Sequence, residues 1–256
     1  MTYTIHAACH SHMGNVRKNN EDNFYFDRLS LQERNMGLSA PLTLTASTEK
    51  RQILAIFDGM GGESFGETAS FEAGRALHAA ARELDCPGDG DFSQEAAQRM
   101  NLAVWESAIA HGTTRMGATL AMATFREDHI FVCNLGDSRI FRLREGMLHQ
   151  LSQDHTDEAF LRAQGIRRRP RLTQYLGIDP EELRLEPYVS GFFLQPGDIY
   201  LLCSDGLTDM LSPENIARLL LDSDTPARCA QALVDAALER GGRDNVTVIV
   251  CKIEEN

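Results

Sequence analysis

No apolar run in this 256-residue chain exceeds five residues, at 53–57 and 199–203. A bilayer-spanning helix requires roughly 20, so no transmembrane helix is expected. The amino terminus has no secretory h-region either, because histidines, Arg17 and Lys18 interrupt it; the chain is expected to stay in the cytoplasm. Positive charge is scarce: 25 Lys plus Arg stand against 37 Asp plus Glu, a net charge of −12. A field of that sign repels nucleic acid and anionic membrane surfaces, and neither is expected as a partner. The six cysteines never fall in CxxC spacing and mostly sit in apolar stretches such as IFVCN and YLLCS. They read as buried free thiols, not as zinc ligands or disulfides. Compositional bias is also missing, with 43% apolar and 24% charged residues, which excludes disordered, collagenous and coiled-coil chains. With no repeat, low-complexity tract or long linker, residues 1–256 are expected to form a single domain.

Runs rich in Ile, Val, Phe and Thr predict strands at 3–9, 23–26, 53–57, 118–125, 129–134, 139–143, 199–203 and 246–253. Helical spacing covers 65–84, 94–110 and 214–221. A fourth helix is predicted over 227–240, where Ala230, Leu233 and Ala237 share one face, Thr225 and Pro226 start it, and Gly241 with Gly242 ends it. Residues 28–52 and 85–92 read as surface excursions, and 155–175 as a polar, Arg-rich connection. Short turns between the strands of 118–143 make that part of the sheet antiparallel. An α+β layered domain follows more naturally than a doubly wound parallel sheet.

The acids mark the strand ends. Asp58 follows ILAIF, Asp137 follows FVCNLG and Asp205 follows YLLCS, while Asp22 precedes NFYF and Asp244 precedes NVTVIV. A single Asp-Gly pair is most simply a turn. Five carboxylates at strand ends would repel one another unless cations compensated. Oxygen ligands without Cys or His point to magnesium or manganese, and calcium is less apt because no EF-hand spacing is present. Two such ions roughly 3.5–4 Å apart would activate a water for attack on phosphorus.

In order along the chain come GNVRKNNED (14–22), FDGMGG (57–62), MGATL (116–120), NLGDSRIF (134–141), LSQDHT (151–156), LTQYLG (172–177), PGDIYLLCSDGLTDML (196–211) and GGRDNVTVIV (241–250). With these blocks the chain resembles the metal-dependent protein phosphatases of the type 2C family in their bacterial serine/threonine form. The resemblance implies a four-layer α-β-β-α sandwich of two mainly antiparallel sheets flanked by helices, with the metal site at one end between the sheets. It implies Mn2+ or Mg2+, two ions per site with a weaker third. Asp58 is then the carboxylate bridging both ions and Gly59 a carbonyl ligand; Asp205 and Asp244 complete the second metal. Asp22 is a further acid of the centre, with Glu21 supporting it. Asp137, with Asp205, would hold the third ion. Arg17 would bind the phosphate, and its planar fork suits two phosphate oxygens at once.

The activity implied is hydrolysis of phosphoserine and phosphothreonine in proteins by water, without a covalent intermediate, by a monomer opposing a serine/threonine kinase. Arg17, Asp58 and Asp205 would carry it. No cysteine heads a Gly-rich turn ending in arginine, which excludes cysteine phosphatases, and no GxxxxGKS loop points to nucleoside triphosphates. Two alternatives stay open: a catalytically silent phosphopeptide- or signal-binding module on the same fold, and a phosphatase of small phosphoesters. The chain departs from the family at two places. Met60 and Glu63 stand where many members carry a histidine that protonates the leaving group, so the general acid is unassigned among Glu63, His10, His12, His155 and metal-bound water. The segment from Thr156 to Arg171, a mobile flap in the family, is short here and basic, with Arg167, Arg168, Arg169 and Arg171. It reads either as a docking face for acidic or phosphorylated segments or as a solvated charge cluster.

Overall fold

The computed structural model describes residues 1–60 and 65–255. The strands are β1 (Tyr3–His12), β2 (Asp22–Tyr25), β3 (Leu42–Ser47), β4 (Gln52–Met60), β5 (Gly117–Ala118), β6 (Leu120–Arg126), β7 (His129–Leu135), β8 (Arg139–Arg144), β9 (Met147–Gln150), β10 (Tyr188–Phe193), β11 (Ile199–Cys203) and β12 (Val246–Glu255). The helices are α1 (Gly66–Glu83), α2 (Asp89–Ala110), α3 (Glu158–Gln164), α4 (Asp205–Thr208), α5 (Pro213–Leu221) and α6 (Pro226–Glu239). One sheet runs β3-β1-β12-β11-β8-β9 and the other β10-β7-β6-β4-β2, with β5 added to the end of β4. Every pairing among these strands is antiparallel.

Three apolar clusters make four layers of these elements. Between the sheets lie Ile5, Phe24, Ile56, Phe125, Tyr200 and Ile249. Leu77, Phe92, Met100 and Val104 of α1 and α2 pack with Phe57 and Met122 on the outer face of one sheet. Ile216, Leu220, Leu233 and Ala237 of α5 and α6 cover Leu201 and Val248 on the other. The central strands β4, β11 and β12 are buried on both faces, which is why they read as continuous apolar runs. The α-β-β-α sandwich expected from the resemblance is therefore present. No helix among the described residues is long and apolar enough to cross a membrane.

The structure corrects the sequence reading at several elements. Residues 28–52 hold strand β3 at a sheet edge, its Leu42, Leu44 and Ala46 half-buried and alternating with exposed Thr43, Thr45 and Ser47. Residues 85–92 are not wholly an excursion, since α2 begins at Asp89, whose carboxylate takes Arg51 Nε at 2.5 Å. The strand expected over 118–125 is broken at Thr119: Gly117 and Ala118 continue beside the end of β4, and pairing with β4 resumes at Ala121. The predicted start of α6 is found, with the Thr225 hydroxyl accepting the Arg228 N–H at 3.3 Å and Pro226 in the first turn.

Candidate metal centre and active site

The pleat places the first two acids. In the β2–β4 register Asp22 lies directly opposite Asp58, so two carboxylates share one end of one sheet. From the other sheet, β11 ends at Cys203 and Asp205 opens α4, while Asp244 lies two residues before β12. Asp137 lies where the chain crosses from β7 in one sheet to β8 in the other. Arg17, Asp58, Gly59, Asp137, Asp205 and Asp244 thus line one cavity of about 330 Å³. Asp22 stands behind its wall, fully buried.

Close backbone approach shapes the floor. A Cβ on Gly59 would run into the carbonyl oxygen of Gly66 at the start of α1 and that of Glu21 before β2. One on Gly206 would strike the Asn245 carbonyl. Glycine is required at both positions for contact, with an ordinary backbone φ.

Burial dominates the electrostatics. Asp22 is pushed up to about 7, chiefly because it has left water, and the Asp205 and Asp244 charges add to the shift. The Ser204 hydroxyl donates to Asp22 Oδ2 at 2.8 Å, but Asp22 Oδ1 is buried with no hydrogen-bond partner among the described residues. Asp205 also rises to about 7, by desolvation first and then by Asp137, Asp209 and Asp244, with Arg169 opposing. Asp58 is raised well above the carboxylate range by desolvation, and then by the charges of Asp22, Asp205, Asp137 and Asp244. Asp58 therefore feels all four other acids. Desolvation likewise raises Asp137 and Glu21.

Two guanidiniums enter this ring of acids. Arg17 Nη2 donates to Asp244 Oδ2 at 2.6 Å, and Arg169 Nη2 to Asp205 Oδ2 at 3.3 Å. Among the described residues, no three acids or other ligating side chains are already drawn into a ready coordination set. The chemistry of the set still fits hard cations. It is all oxygen, desolvated, mutually repelling, and includes a buried carboxylate oxygen left without a donor.

Several residues act here that the sequence reading gave no role. The Thr119 hydroxyl accepts the Asp58 N–H at 3.0 Å and meets Ser138 Oγ at 2.7 Å, while the Thr119 N–H donates to the Asp58 carbonyl at 2.9 Å. This two-way clasp is what breaks the strand at Thr119. Asn245 ties the Arg17 loop to β12: its Oδ1 accepts the Glu21 N–H at 2.8 Å, and its Nδ2 donates to Met13 O at 2.8 Å and Asn19 O at 2.9 Å. Thr119 and Asn245 both lie inside motif blocks, in MGATL and directly after Asp244, and that position was the only signal. Arg169, Pro170 and Leu172 bring the Arg-rich segment to the cavity wall.

Of the general-acid candidates, Glu63 lies outside the described residues. His10 and His12 line a separate cavity beside Asp235. His155 is not among the residues lining the acidic cavity, and burial lowers its proton affinity. Met60 does line it, and its thioether carries no proton.

The serine/threonine protein phosphatase PstP of Mycobacterium tuberculosis is 31% identical over 99% of this chain, which spans 46% of that relative's length. The serine/threonine phosphatase stp of Listeria innocua is 29% identical, with 98% of this chain and 96% of the relative aligned. The crystal structure of the PstP catalytic domain in complex with two manganese ions superposes with a TM-score of 0.78 at 30% identity, covering 100% of both chains. The family model for protein phosphatase 2C matches residues 42–236, through both sheets and across the segment that carries Arg169; the chain belongs to the protein phosphatase 2C family.

Proposed function

We propose that this protein hydrolyses phosphoserine and phosphothreonine in proteins, using water and two divalent cations, Mn2+ or Mg2+, with a weaker third. The observation that carries this reading is the meeting of Asp22, Asp58, Asp137, Asp205 and Asp244 at one end of the sandwich with Arg17 at the cavity mouth. Asp58, Asp205, Asp244, Asp22 and the Gly59 carbonyl would hold the principal pair of ions, and Asp137 with Asp205 the third. The manganese complex of the related PstP domain supports this choice of ion. Such cations supply Lewis acidity that activates water and offsets charge developing on the phosphoryl oxygens.

The chain's own residues do the rest. Arg17 is 44% exposed and already points its Nη2 at the acids, so its fork is placed to take two phosphate oxygens. Thr119 fixes the backbone of Asp58 from both sides, which fixes the point from which the carboxylate leaves the strand. Asn245 keeps the loop bearing Arg17 in register with Asp244. A silent binding module has no use for a fully buried carboxylate such as Asp22, one of whose oxygens has no hydrogen-bond partner among the described residues.

The setting this reading carries is a cytoplasmic monomer that opposes a serine/threonine kinase, with phosphorylated proteins as partners and neither nucleic acid nor membrane engaged. Six unpaired thiols and a charge of −12 support it. The test is phosphate release from a phosphothreonine peptide with Mn2+, Mg2+ or EDTA, comparing wild type with Asp205→Asn. Turnover is expected only with metal and to drop by at least about 10²-fold in the variant. A wild type inactive with every metal sinks the reading.

A further inference from the structure

Against a net charge of −12, residues 167–171 carry four arginines, of which the structure engages two. The longer stretch from Thr156 to Arg171 contains two acids, Asp157 and Glu158. Asp157 takes the Arg168 guanidinium through its carboxylate and also accepts the Arg171 main-chain N–H at 2.8 Å. Glu158 takes Arg162 at 2.8 Å. With both acids occupied, the Arg167 and Arg171 side chains donate no hydrogen bond to any described residue, and both are exposed. Arg169 between them reaches Asp205 at 3.3 Å while remaining 75% exposed.

The placement is not that of a loose tail. Thr156 bridges Leu172, the Asp157 N–H donates to Arg171 O at 3.0 Å, and the Thr173 N–H donates to His155 O at 2.9 Å. These bonds close both ends of the segment. Just beyond it, Leu176 exchanges two backbone hydrogen bonds with Ala118, next to the Thr119 clasp. Arg169, Pro170 and Leu172 consequently form one wall of the acidic cavity. Arg167 and Arg171 are two residues from Arg169 on either side, about 7 Å of chain at most, a span that two residues of an extended peptide cover.

We propose that Arg167 and Arg171 select phosphoprotein substrates whose phosphorylated serine or threonine is flanked by Asp and Glu. The inference rests on the phosphatase reading above and adds the substrate class. The cavity itself is lined by acids and, with its ions bound, takes a phosphate. Neither guanidinium is hydrogen-bonded to an acid among the described residues, Arg171 sharing Asp157 only through its charge while Arg168 holds that carboxylate, so an incoming carboxylate supplies a partner in a fork-to-fork geometry. A neutral flank makes no such pairs, and a basic one also meets four like charges within five positions.

The experiment uses three phosphothreonine peptides identical except for flanks of Asp/Glu, Ala or Lys, with p-nitrophenyl phosphate as a substrate that has no flanks. Wild type, Arg167→Ala/Arg171→Ala and Arg167→Glu/Arg171→Glu are compared with Mn2+, and binding of the labelled peptides is followed by fluorescence anisotropy. Wild type is expected to favour the acidic over the Ala flank roughly fivefold or more, through KM, as two partly exposed ion pairs would give. The preference should vanish in the double alanine variant, invert towards Lys in the double glutamate variant, and shrink in about 0.5 M salt. Nitrophenyl phosphate kinetics should be alike in all three proteins, since neither side chain lines the cavity. A wild type without preference, or a preference that survives both double substitutions, overturns the proposal. Should no phosphoester be hydrolysed, the phosphatase reading fails, and the anisotropy pattern decides this proposal by the same criteria.

Discussion

Asn245 does more for the geometry of the site than its single amide suggests. Its three hydrogen bonds join Met13, Asn19 and Glu21, on the loop that bears Arg17, to the start of β12. The residue is only 4% exposed, and truncation leaves a partly buried N–H and two partly buried carbonyls without it. Asn245→Ala is expected to cost about 2–4 kcal/mol in urea unfolding. It should also lower kcat/KM more than that loss of stability explains at temperatures where the variant is fully folded, because Arg17 is released from Asp244. A variant as stable and as active as wild type would show that the loop is held by other contacts. Thr119 works similarly across a sequence separation of 61 residues. Neither residue announced itself in the sequence, because a side chain that pins a distant main chain leaves no local periodicity. The acids were legible for the opposite reason: each interrupts or abuts an apolar run, and a charge at that place needs a chemical reason.

Among the elements, those with an internal signature were read correctly and those defined by their neighbours were not. Helix α6 carries its own cap, proline and glycine stop, and β11 and β12 are apolar without a break. Edge strand β3 buries its leucines only halfway, β9 is largely exposed, and β10 contains Gly191, whose absent side chain makes room for the Phe131 ring. Such strands exist because a partner offers them a ladder, which one sequence does not display. The junction of β4 with α1 illustrates what a neighbour demands. Gly59 and Gly66 face each other, a Cβ on the first meeting the Gly66 carbonyl and one on the second the Gly59 oxygen at 3.0 Å. Backbone cannot yield as a flexible side chain can, so Gly59→Ala must part the strand end from the helix start. A loss of about 1–3 kcal/mol is expected, together with weaker Mn2+ binding by calorimetry, since Asp58 is the preceding residue. Wild-type manganese affinity in that variant would show that the contact serves packing alone.

For the molecule as a whole, the acidic centre makes stability depend on pH and metal together. Asp22 and Asp205 rise from an ordinary 3.8 to about 7 on folding, burial being the first cause in each. A carboxyl whose folded value lies above its unfolded one stabilises the fold while both states hold the proton, below about pH 4, and that contribution is lost as pH climbs through about 7. The protein kept in EDTA should therefore melt at a lower temperature at pH 8 than at pH 5. Mn2+ replaces those protons with a better counter-charge, so the rise in melting temperature that it brings should be larger at pH 8 than at pH 5. The net charge of −12 would also lower stability with rising pH, which makes the double variant Asp22→Asn/Asp205→Asn the deciding comparison. Its melting temperature in EDTA should vary less between the two pH values, and Mn2+ should scarcely move it. If wild type and the double variant show the same slope, general repulsion governs the pH response, and the buried pair does not.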